Sequence, residues 1–167
     1  MTAPTSRRPP ARSRRRQSIA VPGALLGIGL GGFVDGIVLH QLLQWHHMIS
    51  AEESPTTLLG LERNTLADGL FHAGTWLAVL AGVAMLWSRA LRTGHTWAAR
   101  ELWGWMLVGW GGFNVADGIV NHQLLGLHHV RDDLGGPMSW DIGFLALGIA
   151  LVAAGWLLRR PPQDAGM

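Results

Sequence analysis

The chain has no cysteine, no tyrosine and few charges, and each shortage excludes something. Without cysteine there can be no disulfide, no thiolate metal ligand and no cysteine nucleophile. Charged residues are 14% of the 167 positions and hydrophobic residues 49%, where an ordinary soluble domain carries about 25% charge. That deficit reads as a membrane protein. Serine and threonine are sparse, none lies in a catalytic motif, and no phosphate-binding loop is present. The length suits one domain.

What the chain does have is a phrase that it uses twice. Residues 35–47 read DGIVLHQLLQWHH and residues 117–129 read DGIVNHQLLGLHH. The copies differ only at Leu39/Asn121, Gln44/Gly126 and Trp45/Leu127. Each closes a long apolar run, where an aspartate and a histidine are costly to place.

Four apolar runs, at about 19–45, 65–87, 102–125 and 139–158, approach the ~20 residues that a helix needs to cross the hydrocarbon. The pattern predicts an all-α membrane protein of four transmembrane helices in two tandem two-helix repeats. Two units that each cross twice share one orientation, so a pseudo-two-fold axis should run along the membrane normal. Residues 1–18 hold Arg7, Arg8, Arg12, Arg14, Arg15 and Arg16 without apolar periodicity and read as a disordered arm. The transmembrane domain is expected over 19–160, with a short tail at 161–167.

Arginines crowd the arm, the middle loop (Arg89, Arg92, Arg100) and the C-terminal end (Arg159, Arg160), whereas Glu52, Glu53, Glu62, Asp132 and Asp133 mark the other two loops. The positive-inside rule therefore predicts both termini in the cytoplasm of a bacterial inner membrane. In that setting the basic arm is a topology signal, and no nucleic-acid partner is expected. Trp45 and Trp140 fall near the outer interface, and Trp87, Trp97, Trp103 and Trp156 near the inner one. Gly23, Gly27 and Gly31 form a small-residue stripe suited to close helix packing.

The ionisable residues within the spans all fall in the outer half: Asp35, His40, Asp68, His72, Asp117, His122 and Asp141. Each aspartate at a helix centre costs about 2.5–3.5 kcal/mol on insertion scales, so these side chains should face inward and be neutralised by partners. Histidines and carboxylates projecting from neighbouring helices are how bundles build metal sites. His40, His72 and His122 are the expected ligands, and Asp68 the expected carboxylate. Asp35, Asp117 and Asp141 would be further ligands or would orient imidazole N–H groups. With no thiolate the set suits copper, zinc or iron.

Ideal helical geometry limits this arrangement. Asp35 and His40 are five apart, about 140° around an α-helix, and so should not point at one ion. His46, His47, His128 and His129 read as helix-end or loop residues, forming either a second site or a funnel with the acidic loops. Two readings compete with metal binding. A haem could be held axially by two histidines on facing helices, and a hydrogen-bonded network could merely fix helix register. A proton path across the membrane lacks any ionisable residue in the inner halves.

The phrases GGFVDGIVLHQLLQWHH, LADGLFHAGTW and ADGIVNHQLLGLHH resemble a bacterial family of multi-pass membrane proteins, domain of unknown function 2243, over about residues 22–158. The resemblance implies a membrane protein. It also implies an association with respiratory oxidase assembly, hence copper and a respiratory-chain membrane partner besides the lipid bilayer. It supplies no site residues.

Overall fold

The computed structural model describes residues 17–94 and 96–159. The arginine-rich arm up to Arg16, His95 and the tail from Arg160 lie outside the described residues. Four α-helices form: α1 over Ala20–Phe33, α2 over Leu58–Thr93, α3 over Ala99–Asp117 and α4 over Met138–Leu158. The first and third run on without a break into π-helical segments, Val34–Leu42 and Gly118–Leu124. A short 3-10 turn, Asp132–Leu134, precedes α4, and the described residues include no strand.

α2 is longer than the apolar run suggested. The Thr57 side chain accepts a hydrogen bond from the Gly60 amide at 3.1 Å and so caps its start. Gly94, at φ 61°, ends it in the left-handed conformation that glycine adopts freely. Three stretches are long and apolar enough to cross a membrane, Ala20–Leu42, Leu58–Thr93 and Met138–Leu158. α3 is less apolar, with Arg100, Glu101, Asn114 and Asp117 along it.

The helices stand in a row, α2–α1–α3–α4, rather than in the closed bundle that four spans suggested. The backbone of α1 lies close to those of α2 and α3, and that of α3 close to that of α4; among the described residues the backbones of α1 and α4, and of α2 with α3 or α4, do not come close, although Phe71 of α2 reaches Phe113 of α3. The two copies of the repeated phrase thus meet at the centre of the row.

The packing inverts that of a water-soluble protein. Ile19, Leu26 and Val130 are the buried apolar side chains, whereas Asp35, His40, His46, Asn64, Asp68, Asn114, Asp117, His122, His128 and Asp141 are all buried. Leu66, Leu70, Leu77, Ile142, Ile149 and Leu157 point outward. Hydrocarbon is as apolar as leucine, so helices gain more by bringing backbones close than by hiding leucine from lipid. Glycine makes this possible at the α1–α3 seam. A Cβ on Gly27 would collide with the Met106 carbonyl, and one on Gly109 with the Ala24 carbonyl. The glycine stripe is a packing surface.

Candidate metal centre

The π-helical segments answer the geometric objection raised by ideal helices. Their wider turns close between residues five apart: the Leu43 amide donates to the Val38 carbonyl, and the Leu125 amide to that of Val120, both at 2.8 Å. Residues five apart therefore come into register. His40 Nε2 stands 3.3 Å from Asp35 Oδ2, and His122 Nε2 stands 3.2 Å from Asp117 Oδ2. The expectation that Asp35 and His40 diverge is corrected by this change of helix type.

Each segment ends in a left-handed residue, Gln44 at φ 51° and Gly126 at φ 61°. One of the few differences between the two copies thus falls where glycine is the less strained choice. The turn throws the next histidine back into the protein. His46 Nε2 lies 3.9 Å from Asp35 Oδ1, and His128 Nε2 lies 3.9 Å from Asp117 Oδ2. Two groups result, Asp35–His40–His46 and Asp117–His122–His128, each offering three ligand atoms within 4.8 Å of one another.

The two groups adjoin. The His46 and His128 rings stack at 4.7 Å with 4° between their planes. Ring centres lie at 4.5 Å for His40–His46 and 4.7 Å for His122–His128. All four rings are sealed from solvent, at 2% exposure or less.

The far nitrogen of each ring is turned to a partner outside the groups. His46 Nδ1 donates to the Val130 carbonyl at 3.0 Å, and His128 Nδ1 to the Met48 carbonyl at 2.9 Å, so each loop ties down the other half's histidine. His40 Nδ1 donates to Asp68 Oδ1 at 2.9 Å, and His122 Nδ1 faces Asp141 Oδ1 at 3.2 Å. These carboxylates are well supplied with donors. Asp68 also accepts from His47 Nδ1 at 2.7 Å, the Met48 amide at 2.8 Å and Gln41 at 3.3 Å. Asp141 accepts from His129 Nδ1 at 2.7 Å, the Val130 amide at 2.9 Å and Gln123 at 3.4 Å.

A carbonyl can only accept, so His46 and His128 carry a proton on Nδ1, and the Nε2 lone pair of His46 points into its group. Burial, and then the neighbouring His128 and His40 rings, hold His46 far below the usual histidine range, so it is neutral at pH 7. The Nε2 atoms of His40, His46, His122 and His128 are buried without a hydrogen-bond partner, as are Asp35 Oδ1 and Asp117 Oδ2. Burial alone would lower His128, but Asp117 and the Met48 carbonyl hold it above the usual histidine range. Four buried aspartates, Asp35, Asp68, Asp117 and Asp141, also face no buried lysine or arginine among the described residues. Such an arrangement calls for cations.

The structure redistributes the roles expected from sequence. Asp35, His40, Asp117 and His122 come together as donors. His46 and His128, ranked low as loop residues, join them. Asp68 and Asp141 stand behind the imidazoles instead of facing the gap. His47 and His129 bind those two carboxylates and do not form a funnel with the acidic loops, where Glu53 pairs with Arg63 and Asp133 with Arg131. His72 stands apart from both groups, with its ring between Phe33 and Phe71 and its Nε2 buried beside Gly36. Leu145 packs on Gly118 at the matching place. The signal for His46 and His128 was present in the sequence: a doublet of histidines recurs at the same distance after His40 and His122.

Comparison with known proteins adds one finding. A family model described as "Predicted membrane protein" matches residues 22–161, most of the chain. No curated protein and no solved structure matches.

Proposed function

The chain belongs to the DUF2243 family of predicted membrane proteins, and from that premise we propose that it is a metalloprotein with a two-metal centre. Asp35, His40 and His46 hold one ion, and Asp117, His122 and His128 hold the other. The observation behind this reading is the set of buried, unpartnered Nε2 atoms turned toward carboxylates, while the opposite ring nitrogens of His40, His46 and His128 are engaged elsewhere.

Charge supports two ions. The four buried carboxylates face no buried lysine or arginine among the described residues, and two divalent cations would cancel their four negative charges. Two histidines and one carboxylate with room for a further ligand is a set used for iron(II), and with glutamate as the carboxylate for catalytic zinc. Iron or zinc therefore suits the donors better than copper. A haem is disfavoured, because rings packed 4.5–6.2 Å apart leave no place for a macrocycle between them. A hydrogen-bond network alone accounts less well for His46 and His128, whose Nε2 atoms stand 3.9 Å from Asp35 and Asp117, than for His40 and His122 at 3.3 and 3.2 Å.

The sealed ligands suit a resident centre better than a carrier that must release its cargo. Residence makes redox or hydrolytic chemistry in the membrane the favoured role over metal delivery. α3, with its π-helical extension, completes a fourth crossing, and the arginine pattern puts the centre in the outer half of the bilayer, with both termini cytoplasmic.

Elemental analysis of detergent-purified protein tests the proposal. About two equivalents of a divalent transition metal per chain are expected, since each group offers three ligands. His46→Ala should lose at least one of them. Metal-free protein of native stability would refute the reading.

A further inference from the structure

The row of helices leaves a space on each flank, because the backbones of α1 and α4, and those of α2 and α3, do not come close among the described residues. The two gaps are not alike. Between α1 and α4, over a floor of α3, lies a cavity of about 360 Å³ lined by Gly31, Trp45, Trp110, Asn114, Trp140 and Phe144, among others. Asp35, from the first metal group, borders it as well. At the matching place between α2 and α3, Phe113 stands where the repeat has Gly31, and it stacks on Phe71 at 5.9 Å. Gly32, the counterpart of Asn114, packs against Thr75 and Phe71. One flank is filled and the other open.

The open cavity has a polar end. Asn114 is 3% exposed, and its side-chain amide has no hydrogen-bond partner among the described residues. A buried amide left unsatisfied is costly, so its place in a cavity wall points to a ligand that hydrogen-bonds it. Four aromatic side chains, Trp45, Trp110, Trp140 and Phe144, stand in the remaining walls among aliphatic residues and Ser139. Toward the acidic loops the mouth is closed: Trp45 and Trp140 meet edge to face at 5.4 Å, and the Arg131 guanidinium lies over both rings. Asp133 holds that guanidinium through two hydrogen bonds of 2.7 Å. Access is thus from the side, between α1 and α4, where leucines and isoleucines face the hydrocarbon.

We propose that this cavity binds a lipid-soluble molecule with a planar ring and a ring carbonyl, of the quinone class, drawn from the bilayer. The ring lies among Trp45, Trp110 and Phe144, and the carbonyl accepts from the Asn114 amide. That places the polar edge of the ligand beside Asp35 and the proposed metal centre. The binding itself rests on the cavity and Asn114 and does not depend on metal.

The test uses the full chain in maltoside micelles, titrated by calorimetry with 2-methyl-1,4-naphthoquinone and separately with palmitate. One saturable site for the naphthoquinone is expected. Asn114→Ala should weaken it tenfold or more, because the buried amide that donates to the carbonyl is removed. Gly143→Leu should abolish it: a Cβ there meets nothing within 4 Å, so the leucine grows into the open space without disturbing helix packing. Both variants should keep the metal content of the parent, which separates failure here from failure of the metal reading. Unsaturable partitioning, equal binding by both variants, or full displacement by palmitate at equal affinity would each overturn the proposal.

Discussion

Replacing Asp68 by asparagine probes the group behind the metal ligands, where geometry gives a magnitude. Asp68 accepts from His40 Nδ1, His47 Nδ1, the Met48 amide and Gln41. Asparagine keeps one acceptor oxygen and turns an NH2 toward donors that must now lose their bonds. Losing one or two charge-assisted hydrogen bonds, each worth about 1.5–3 kcal/mol, weakens the fold locally. The larger consequence concerns His40. Without a carboxylate behind it, the ring is a poorer base and is held less firmly, and changes of this kind reduce metal affinity about 10–100-fold. Since each tenfold is about 1.4 kcal/mol, the expected loss is roughly 1.4–2.8 kcal/mol for one ion. Chelator competition on purified protein measures it, with Asp35→Asn as the reference for a direct ligand. The order should be parent, then Asp68→Asn, then Asp35→Asn. If Asp68→Asn lowered thermal stability while leaving metal affinity unchanged, the carboxylate would belong to a structural network and the reasoning would fail.

Other consequences can be read by independent assays. In chelator-treated protein, burial and the neighbouring rings hold His46 well below its usual 6.5. The unfolded chain therefore takes up a proton that the folded chain refuses. The contribution of His46 should be fully present above about pH 6.5 and be lost as pH drops below it, so thermal melts at a series of pH values should show a smaller acid-side loss in His46→Ala than in the parent. A cysteine placed at Glu52 in this cysteine-free chain should react with an impermeant maleimide in intact cells, whereas one at Thr96 should react only after lysis. The reverse labelling pattern would invert the topology.

The sequence revealed the repeat, the apolar helices and the polar residues that leave the lipid, because each leaves a local mark. Asp35 and Asp117 lie at the ends of apolar runs, and a carboxylate there needs a partner whatever the fold. The ligand set was less legible, for two physical reasons. An ideal helix of 3.6 residues per turn separates residues five apart, and nothing in Val34–Leu42 announces the wider π-helical turn that reunites Asp35 with His40. The second reason is the loops. His46 and His128 are fixed by carbonyls of the opposite half, Val130 and Met48, and such long-range ties have no local signature. His72 was expected as a ligand because it sits one turn from Asp68 on α2; the structure turns it toward Gly36, on the flank that Phe71 and Phe113 fill.

X-ray absorption at the metal edge of the purified protein bears most directly on the two-metal centre. The coordination described here predicts a shell of nitrogen and oxygen at about 2.0–2.2 Å with outer scattering from imidazole rings and no sulfur, all of it diminished in a His40→Ala, His122→Ala double variant. A sulfur shell, a porphyrin signature, or no edge at all from fully folded protein would contradict it.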